Sequence, residues 1–379
     1  MRHLLSVCHL TARHHTLRIA ALANRGAIWL GLIAWFALAG SVGLPGLEQA
    51  ARADESNGRC DLYFIDVEGG AAVLMVTATG ESLLVDSGYP DHQYRDRDRI
   101  LRVLKLAGRK QLDHAAVSHW HLDHYGNHAA LAAEFPVKNF WDRGMPERLS
   151  EDPQYGERIE KYRAAAQNKS RPLKVGDTIP LKSSQTPLKL TVVTASGEVL
   201  PNQGVANPFA GEHKPQPEDP SDNAKSMSFL VEFGKFRFLT CGDLTWNTEA
   251  KLMTPNNPIG QIDLFMVTHH GLNVSNNPVL VLPLDPVVAV MCNGPEKGGA
   301  AETQATLKRV KSLKSLFQLH RNIKLKAEEQ APAEFIANDY LTESCPGRFV
   351  KVSVAADSRS YTVQVEGQEK VHTYQTRVQ

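Results

Sequence analysis

Short runs of apolar and β-branched residues, separated by turn residues, make up most of the chain from Cys60 onward. They predict strands, namely DLYFIDV, AAVLMVTA, ESLLVDSG, HAAVS, KLTVVTAS, SFLVEF, KFRFLTCGD, IDLFMVTHHG and VVAVMCNG. Two stretches predict helices instead: YRDRDRILRVLKLAG, with Ile100, Val103, Leu104 and Ala107 on one face, and HAALAAEF. Strands mixed with single helices predict an α/β sandwich whose helices cover the outer faces of two sheets.

Three later stretches complete the pattern. Residues 199–226 contain five prolines without periodicity, which predicts a long surface loop. The segment TQATLKRVKSLKSLFQLH predicts a basic amphipathic helix with Leu307, Val310, Leu313 and Phe317 on one face, and its lysines are interpreted as a solvated surface. Residues 348–366 alternate as a closing hairpin. We therefore divide the chain into an N-terminal segment (1–53), a main domain (54–300) and a helix-and-hairpin extension packed on that domain (301–379).

The N-terminal segment joins several arginines to an uncharged apolar run at residues 27–44. Ala51, Arg52 and Ala53 form a small-x-small cleavage site, so residues 1–53 are predicted to be a signal peptide. The prediction implies export to the periplasm or the extracellular space, with no stable membrane association after cleavage. An uncleaved membrane anchor is the alternative, because the apolar run is just long enough to span a bilayer.

Cleavage would also change the charge and the state of the cysteines. The formal net charge is +1 for 379 residues, and removal of five Arg and one Glu makes it −3. A nucleic-acid partner is possible but gains no support from that charge. Export favours disulfides, and Cys60 with Cys345 is the candidate pair. Cys241 and Cys292 lie inside apolar runs and are expected to be buried free thiols.

Candidate metal ligands are concentrated in VSHWHLDHYGNH at residues 117–128, which contains His119, His121, Asp123 and His124 within six positions. His119 and His121 are two apart, so they point to the same side of an extended backbone. Burying these groups without a cation would cost much solvation energy. Imidazole with carboxylate suits zinc first, and also manganese or iron, so we predict one or two divalent ions.

Three other strand-like runs end in polar residues next to a glycine. They are SLLVDSG at Asp86, FRFLTCGD at Asp243, and DLFMVTHHG at His269 and His270. Together they offer a carboxylate that could bridge two metals, a further imidazole, and a carboxylate that orients the ligands.

The segment SHWHLDH matches the H-x-H-x-D-H signature of the metallo-β-lactamase superfamily, and LLVDSG, LTCGD and VTHHG follow in that family's order. The chain resembles this superfamily from about Asp61 to Gly294. Within it, FIDVEGGAAVLMV, NAKSMSFLVEFGKFRFLTCGD and VTHHGLNVS are most similar to the hydrolase domain of competence-type (ComEC-like) DNA-uptake proteins. The resemblance implies an αββα sandwich of two mixed sheets.

The resemblance also implies a ligand set, with His119 and His121 on the first metal, Asp123, His124 and His270 on the second, and Asp243 between them. His270 is preferred to His269 because the family's last ligand usually precedes a glycine, and Cys241 competes with Asp243. Asp123 would also accept or orient the proton of the attacking water. Asp86 would support a ligand from behind.

The sequence departs from the family at one position. Most members have a third histidine for the first metal just before the strand that here is SFLVEF, whereas this chain has Asn223, Lys225 and Ser226. His213 in the proline-rich loop is an alternative donor. Asn223 and Lys225 are candidates for contact with substrate, and Lys225 could hold an anionic group.

These features predict a metal-dependent hydrolase that uses hydroxide held by the metal. Its expected substrate is a small molecule or polymer with an anionic group, first of all a phosphodiester or other anionic ester. A lactonase or β-lactamase-like hydrolase is the alternative, and a pocket closed by hydrophobic loops would indicate it. A non-catalytic metal-binding interaction module is an alternative of another class, which loss of several ligands would indicate.

Overall fold

The computed structural model describes residues 58–90, 92–339 and 345–377. The predicted signal peptide or anchor at residues 1–53 lies outside them. Of the helices in the described ranges, none is both long and apolar enough to cross a membrane.

Most strands belong to two large sheets. In spatial order, the first sheet contains β19 (Val371–Gln375), β18 (Ser360–Val365), β17 (Val350–Val354), β1 (Cys60–Phe64), β2 (Val73–Val76), β3 (Ser82–Val85), β4 (Leu112–Ala116), β5 (Val137–Asp142) and β6 (Arg171–Pro172). The second sheet contains β16 (Ile336–Asn338), β15 (Ser315–His320), β14 (Val288–Met291), β13 (Leu264–Met266), β11 (Phe236–Thr240), β10 (Ser228–Phe233), β7 (Leu188–Ala195) and β8 (Glu198–Val199). A small ribbon pairs β9 (Val205–Ala206) with β12 (Asn256–Asn257).

The helices are short and lie between these strands. The α-helices are α1 (Arg95–Leu106), α2 (Leu122–Tyr125), α3 (His128–Glu134), α4 (Tyr155–Ala165), α5 (Trp246–Met253), α6 (Pro278–Leu284) and α7 (Ala301–Lys308). Single 3-10 turns occur at His92–Tyr94, Ala210–Glu212, Asp222–Lys225, Thr268–Gly271, Ala327–Glu329 and Ala333–Phe335. Helices α1 and α3 confirm the two predicted helices, and α1 buries Ile100, Val103 and Leu104 as its spacing predicts.

The two sheets pack face to face. Leu62 of β1 and Phe238 of β11 belong to one core cluster between them. Tyr63, on the opposite face of β1, packs in a second cluster with Ile100 of α1, and Leu280 of α6 joins the outer cluster of the second sheet. Strands buried on both faces explain the near-continuous apolar runs in the sequence. The predicted αββα sandwich is confirmed.

Parallel pairing places the polar strand ends at one edge. In the first sheet, β3, β4 and β5 are parallel. In the second, β11, β13, β14, β15 and β16 are parallel. Asp86 follows β3, Asp243 follows β11, and His269 and His270 follow β13. Open parallel sheets bind ligands at the carboxyl ends of their strands, which is where these residues lie.

The predicted basic helix is correct only in its first half. Helix α7 ends at Lys308, and Phe317 lies in strand β15, buried between the two sheets. Strand β15 pairs in parallel with β14 and β16. Its apolar run therefore reflects a strand buried on both faces, which periodicity alone does not separate from a helix segment.

The predicted disulfide is wrong. Cys60 and Cys345 are both free. Cys60 lies in β1 opposite Val354, whereas the Sγ atom of Cys345 lies 3.6 Å from Oδ2 of Asp66.

Two further predictions are confirmed. Cys241 and Cys292 are buried free thiols, and strands β17 and β18 form an antiparallel hairpin that extends the first sheet beside β1.

Candidate metal centre

Four potential ligands converge at the edge where the parallel strands end. One donor atom from each of Asp123, His124, Asp243 and His270 lies within 4.8 Å of all the others, and all four residues are buried. Nε2 of His124 lies 3.2 Å from Oδ2 of Asp243, and Nε2 of His270 lies 3.2 Å from Oδ2 of Asp123. Three distant parts of the chain thus present oxygen and nitrogen donors to one point.

The histidines around this point share one arrangement, in which Nδ1 contacts a neighbouring oxygen and Nε2 faces the carboxylates. Metal-binding histidines are commonly held in this way, because the contact behind the ring fixes its tautomer and orientation. The Nδ1 contacts are His119 with Ser118 Oγ (3.1 Å), His124 with Asp86 Oδ2 (2.8 Å), His269 with Ser275 Oγ (3.1 Å) and His270 with the carbonyl oxygen of Cys292 (3.0 Å).

His119 and His269 extend the cluster around Asp243. Nε2 of His269 lies 3.4 Å from Oδ2 of Asp243, and Nε2 of His119 lies 3.9 Å from it. Among the described residues, the buried Nε2 atom of His119 has no hydrogen-bond partner. Native structures seldom leave such an atom unpaired. This atom and the carboxylate–imidazole donor set fit a divalent metal ion.

His121 does not join the cluster. Its Nε2 atom lies 3.2 Å from Oε1 of Glu151, and its side chain is 23% exposed. Its ring centroid remains 4.7 Å from that of His119, with the rings nearly perpendicular. The predicted ligand role of His121 therefore stays a prediction.

The buried charges at the centre are negative in excess. Burial raises the pKa of a carboxyl group, but His124 outweighs it and holds the pKa of Asp123 and Asp243 well below their usual range. Burial alone would lower the pKa of His124, yet Asp243 and Asp123 raise it well above its usual value. Burial keeps the pKa of His119 well below that value and lowers the pKa of His269 to about 4. Ionised carboxylates beside neutral imidazoles favour a cation, which would replace the proton of His124.

The backbone is strained at three positions of the centre. Asp86, His269 and His270 have left-handed conformations with φ of 61°, 53° and 54°. Such a conformation costs about 1–3 kcal/mol for each non-glycine residue and is concentrated at functional sites. Asn276 helps to hold the histidine turn, because its side chain bonds both the N–H and the carbonyl of Thr268.

Asp86 lies directly behind the centre. Its carboxylate accepts hydrogen bonds from the amide and hydroxyl groups of Ser118, and Oδ2 is also the oxygen beside His124 Nδ1. One carboxylate therefore joins the end of β3 to the histidine motif. This position suits the predicted supporting role.

Of the residues considered near the missing third histidine, Ser226 contacts the cluster, because its hydroxyl accepts a hydrogen bond from the Asp243 amide. Lys225 is exposed and Asn223 is half-buried, both on a single 3-10 turn. Nδ1 of His213 lies 3.0 Å from Nδ2 of Asn277. Cys241 packs in the outer hydrophobic cluster, where burial raises its pKa to about 12. Asp243, and not Cys241, belongs to the buried cluster of donor atoms.

Lys297 is a residue of the centre that the sequence analysis missed. It lies in the loop after β14, with Nζ 2.5 Å from Oδ2 of Asp123 and 3.3 Å from the hydroxyl of Tyr89. Burial alone would lower the pKa of Lys297, but Asp123 raises it, so the side chain is an ammonium. Lys297 belongs to no family motif noted above. Its only sequence signal is the glycine-rich turn GPEKGG.

A cavity of about 650 Å³ adjoins the centre through His269. Its wall comes from residues 216–220 of the proline-rich loop, residues 245–248 at the start of α5, and Asn223, Ala224, Asn273 and Val274. Glu218 and Asp219 contribute carboxylates, and no lysine or arginine lines it. Its volume is that of a typical small-molecule site.

Comparison with known proteins agrees with this geometry. The model of the metallo-beta-lactamase superfamily matches residues 65–277, which is more than half of the chain. The chain belongs to the metallo-beta-lactamase superfamily. Members of this superfamily are commonly metal-dependent hydrolases. A search of curated proteins gave no match.

Two solved structures illustrate the similarity of this superfamily member to known folds. The metallo-beta-lactamase fold protein YhfI from Bacillus subtilis is 10% identical, with a TM-score of 0.41, and the match covers 69% of this chain and 95% of YhfI. CmlA, a diiron β-hydroxylase from Streptomyces venezuelae, is 17% identical, with a TM-score of 0.37. That match covers 62% of this chain and 44% of CmlA, so the chain spans less than half the length of CmlA.

Proposed function

We propose that this superfamily member hydrolyses phosphodiesters or other anionic esters with the help of one or two divalent ions, zinc first and manganese or iron as alternatives. The convergence of Asp123, His124, Asp243 and His270, with both imidazole rings held from behind, carries the proposal. These four residues would hold one ion. His119, His121 and Asp243 would hold a second ion, and His269 would supply the imidazole that the missing third histidine provides elsewhere in the family.

A divalent ion in such a site lowers the pKa of a water molecule and polarises the bond under attack. The chain's own residues would do the rest. Asp123 is an ionised carboxylate at the mouth of the centre, so it would accept or orient the proton of the attacking water. Asp86 would keep His124 in the tautomer whose Nε2 lone pair faces the ion.

The cavity and the charge of the chain guide the choice of substrate. Similarity to the competence-type (ComEC-like) hydrolase domain favours a phosphodiester, and we include that subtype in the proposal. A cavity with two carboxylates and no basic side chain supports a small ester over a nucleic-acid strand. Export to the periplasm or extracellular space remains part of the proposal, on the N-terminal sequence alone.

A substrate panel tests the proposal directly. Purified full-length chain, loaded with zinc and separately with manganese, would be assayed on bis-p-nitrophenyl phosphate, a single-stranded oligonucleotide, an acyl-homoserine lactone and nitrocefin. We expect the wild-type chain to hydrolyse bis-p-nitrophenyl phosphate and to act only weakly on the oligonucleotide. The Asp243→Asn variant should have lost this activity. Turnover of the lactone or nitrocefin alone would contradict the proposed substrate class. The absence of any metal-dependent turnover would favour the interaction module.

A further inference from the structure

Lys297 lies at the rim of the metal centre, between the buried carboxylates and solvent. Its side chain is 34% exposed, whereas that of Asp123 is 10% exposed. The ammonium group bonds Asp123 on one side and the hydroxyl of Tyr89 on the other, and lies 5.7 Å from the Tyr89 ring centroid. An ammonium and a phenol hydroxyl are thus presented together at the opening of the site.

The loop that carries Lys297 is fixed to the centre. The Gly299 amide donates to the carbonyl of His270, and the Gly294 amide donates to the carbonyl of Lys297. A Cβ atom at Gly298 would come within 2.1 Å of the His270 carbonyl oxygen, so a larger residue there would displace the loop. Lys297 is therefore positioned by a residue of the metal cluster, unlike a lysine on a freely moving surface loop.

The charges around the Lys297 ammonium indicate that it binds an anion. Without a metal, it forms an ion pair with the carboxylate of Asp123. A divalent cation bound to the same carboxylate would neutralise it instead, and the ammonium would then lack a counter-charge. An anionic group entering from the open side would supply it, and hydrogen bonds between charged partners are the strong ones. Lys225, the lysine suggested by the sequence, is exposed and makes no such contact in the described structure.

Building on the proposed function, we propose that Lys297 and Tyr89 form the site that binds the anionic oxygen of the substrate. The two groups would hold a non-bridging phosphoryl oxygen or the equivalent oxygen of another anionic ester. The site would thereby select anionic esters over neutral lactones. It would act on substrate affinity, because its two groups do not supply metal donors.

Calorimetric titration with inorganic phosphate tests this proposal. The zinc-loaded full-length chain would be compared with Lys297→Gln, Lys297→Arg, Tyr89→Phe, Lys225→Gln and Lys324→Gln. Lys324 is the matched control, because it is an exposed lysine whose Nζ lies 3.1 Å from Glu296 of the same loop. We expect phosphate affinity to fall about 10- to 100-fold in Lys297→Gln, less in Lys297→Arg and Tyr89→Phe, and less than about twofold in the control. Zinc content should stay at the wild-type value in all of them.

Two results would overturn the proposal. Wild-type phosphate affinity in Lys297→Gln would show that Lys297 only neutralises Asp123. A tenfold loss in Lys225→Gln, without one in Lys297→Gln, would assign the role to Lys225. Thermal melting identifies any variant that fails to fold. If Lys297→Gln is unfolded, the phosphate affinities of Lys297→Arg and Tyr89→Phe test the proposal instead. Phosphate binding is separate from turnover, so an inactive wild type would refute the proposed function without removing the anion site.

Discussion

Two clusters in this protein contain the residue types that bind metals, yet they differ in what surrounds those residues. The metal centre joins Asp123, His124, Asp243 and His270. The second cluster joins Asp66, Glu68, His320 and Cys345, whose donor atoms also lie within 4.8 Å of one another. Proximity and donor type do not distinguish the two clusters. The side chains that contact their carboxylates do distinguish them.

The carboxylates of the second cluster are already paired. Arg99 lies 2.8 Å from both Asp66 and Glu68, and Arg95 lies 2.7 Å from Glu68. Nε2 of His320 lies 2.8 Å from Oδ1 of Asp66. Burial alone would lower the pKa of His320, but Asp66 raises it to about 9, so the imidazole is protonated at neutral pH. The negative charges of this cluster are therefore neutralised by protein side chains, and a metal ion would gain little by binding there.

The carboxylates of the metal centre are not neutralised by basic side chains to the same extent. Within the described ranges, Lys297 is the lysine or arginine that contacts these carboxylates. We infer that a buried acidic cluster binds metal when its charge remains unmatched by the protein.

Asp123→Asn should lower both turnover and stability. Removing the carboxylate that receives the proton should lower phosphodiester turnover by about 10²- to 10⁴-fold, the usual contribution of general acid–base catalysis. Because its neighbours hold the pKa of Asp123 well below the usual range, the ionised carboxylate stabilises the metal-free fold at neutral pH, so the free energy of unfolding should fall as well. Steady-state kinetics and urea titration measure the two effects. Near-wild-type turnover would exclude Asp123 from the chemistry.

Asp66→Asn should lower stability without affecting the metal. It leaves His320 without its carboxylate and Arg99 with Glu68 alone, and breaking a buried ion pair typically costs about 3–5 kcal/mol of unfolding free energy. Metal content should remain that of the wild type. Urea denaturation and elemental analysis on the same sample test both halves. Loss of metal with unchanged stability would reverse the assignment of the two clusters.

The pair of His320 with Asp66 should make stability depend on pH. Because the folded pKa of His320 is raised to about 9, its contribution is complete below pH of about 6.5 and is lost as pH rises through about 9. We expect about 1–3 kcal/mol of unfolding free energy to disappear over that range. Urea titrations between these pH values measure it. A His320→Gln variant with the same pH dependence would exclude this pair as the cause.

Asp86→Asn should weaken the metal centre without destroying it. The amide retains an oxygen for Ser118 but is a poorer partner for His124 Nδ1, and loss of such a partner usually lowers metal affinity about 10- to 100-fold. Competition with a chromophoric chelator measures the affinity. The matched control is Asp285→Asn, which removes a carboxylate paired with Arg377 elsewhere. An equal effect in both variants would show that Asp86 acts only on general stability.

The sequence predicted the fold and the position of the centre better than its details. Asp86, Asp243, His269 and His270 each end an apolar strand, and parallel pairing brings such ends to one edge, so local patterns were sufficient. Phe317 was placed in a helix because a short apolar run carries no information about its parallel neighbours. Cys345 was paired with Cys60 from their positions at the two ends of the domain, although it faces Asp66.

Lys297 shows a second limit. It follows His270 by 27 residues in a turn without a family motif, and only the contact between its loop and the His270 carbonyl brings it to Asp123. Long-range packing of this kind leaves no local pattern. The orientation of His121 toward Glu151 was likewise not visible in the spacing of the histidine motif.

The most direct test of the account is the metal content per chain of wild type, Asp243→Asn and Cys345→Ser, all loaded under identical conditions and confirmed as folded by circular dichroism. Cys345 is the matched choice in the second cluster, because a thiolate would be its strongest zinc ligand. We predict that Cys345→Ser retains the wild-type metal content and that Asp243→Asn loses it. Retention in Asp243→Asn together with loss in Cys345→Ser would contradict the central claim.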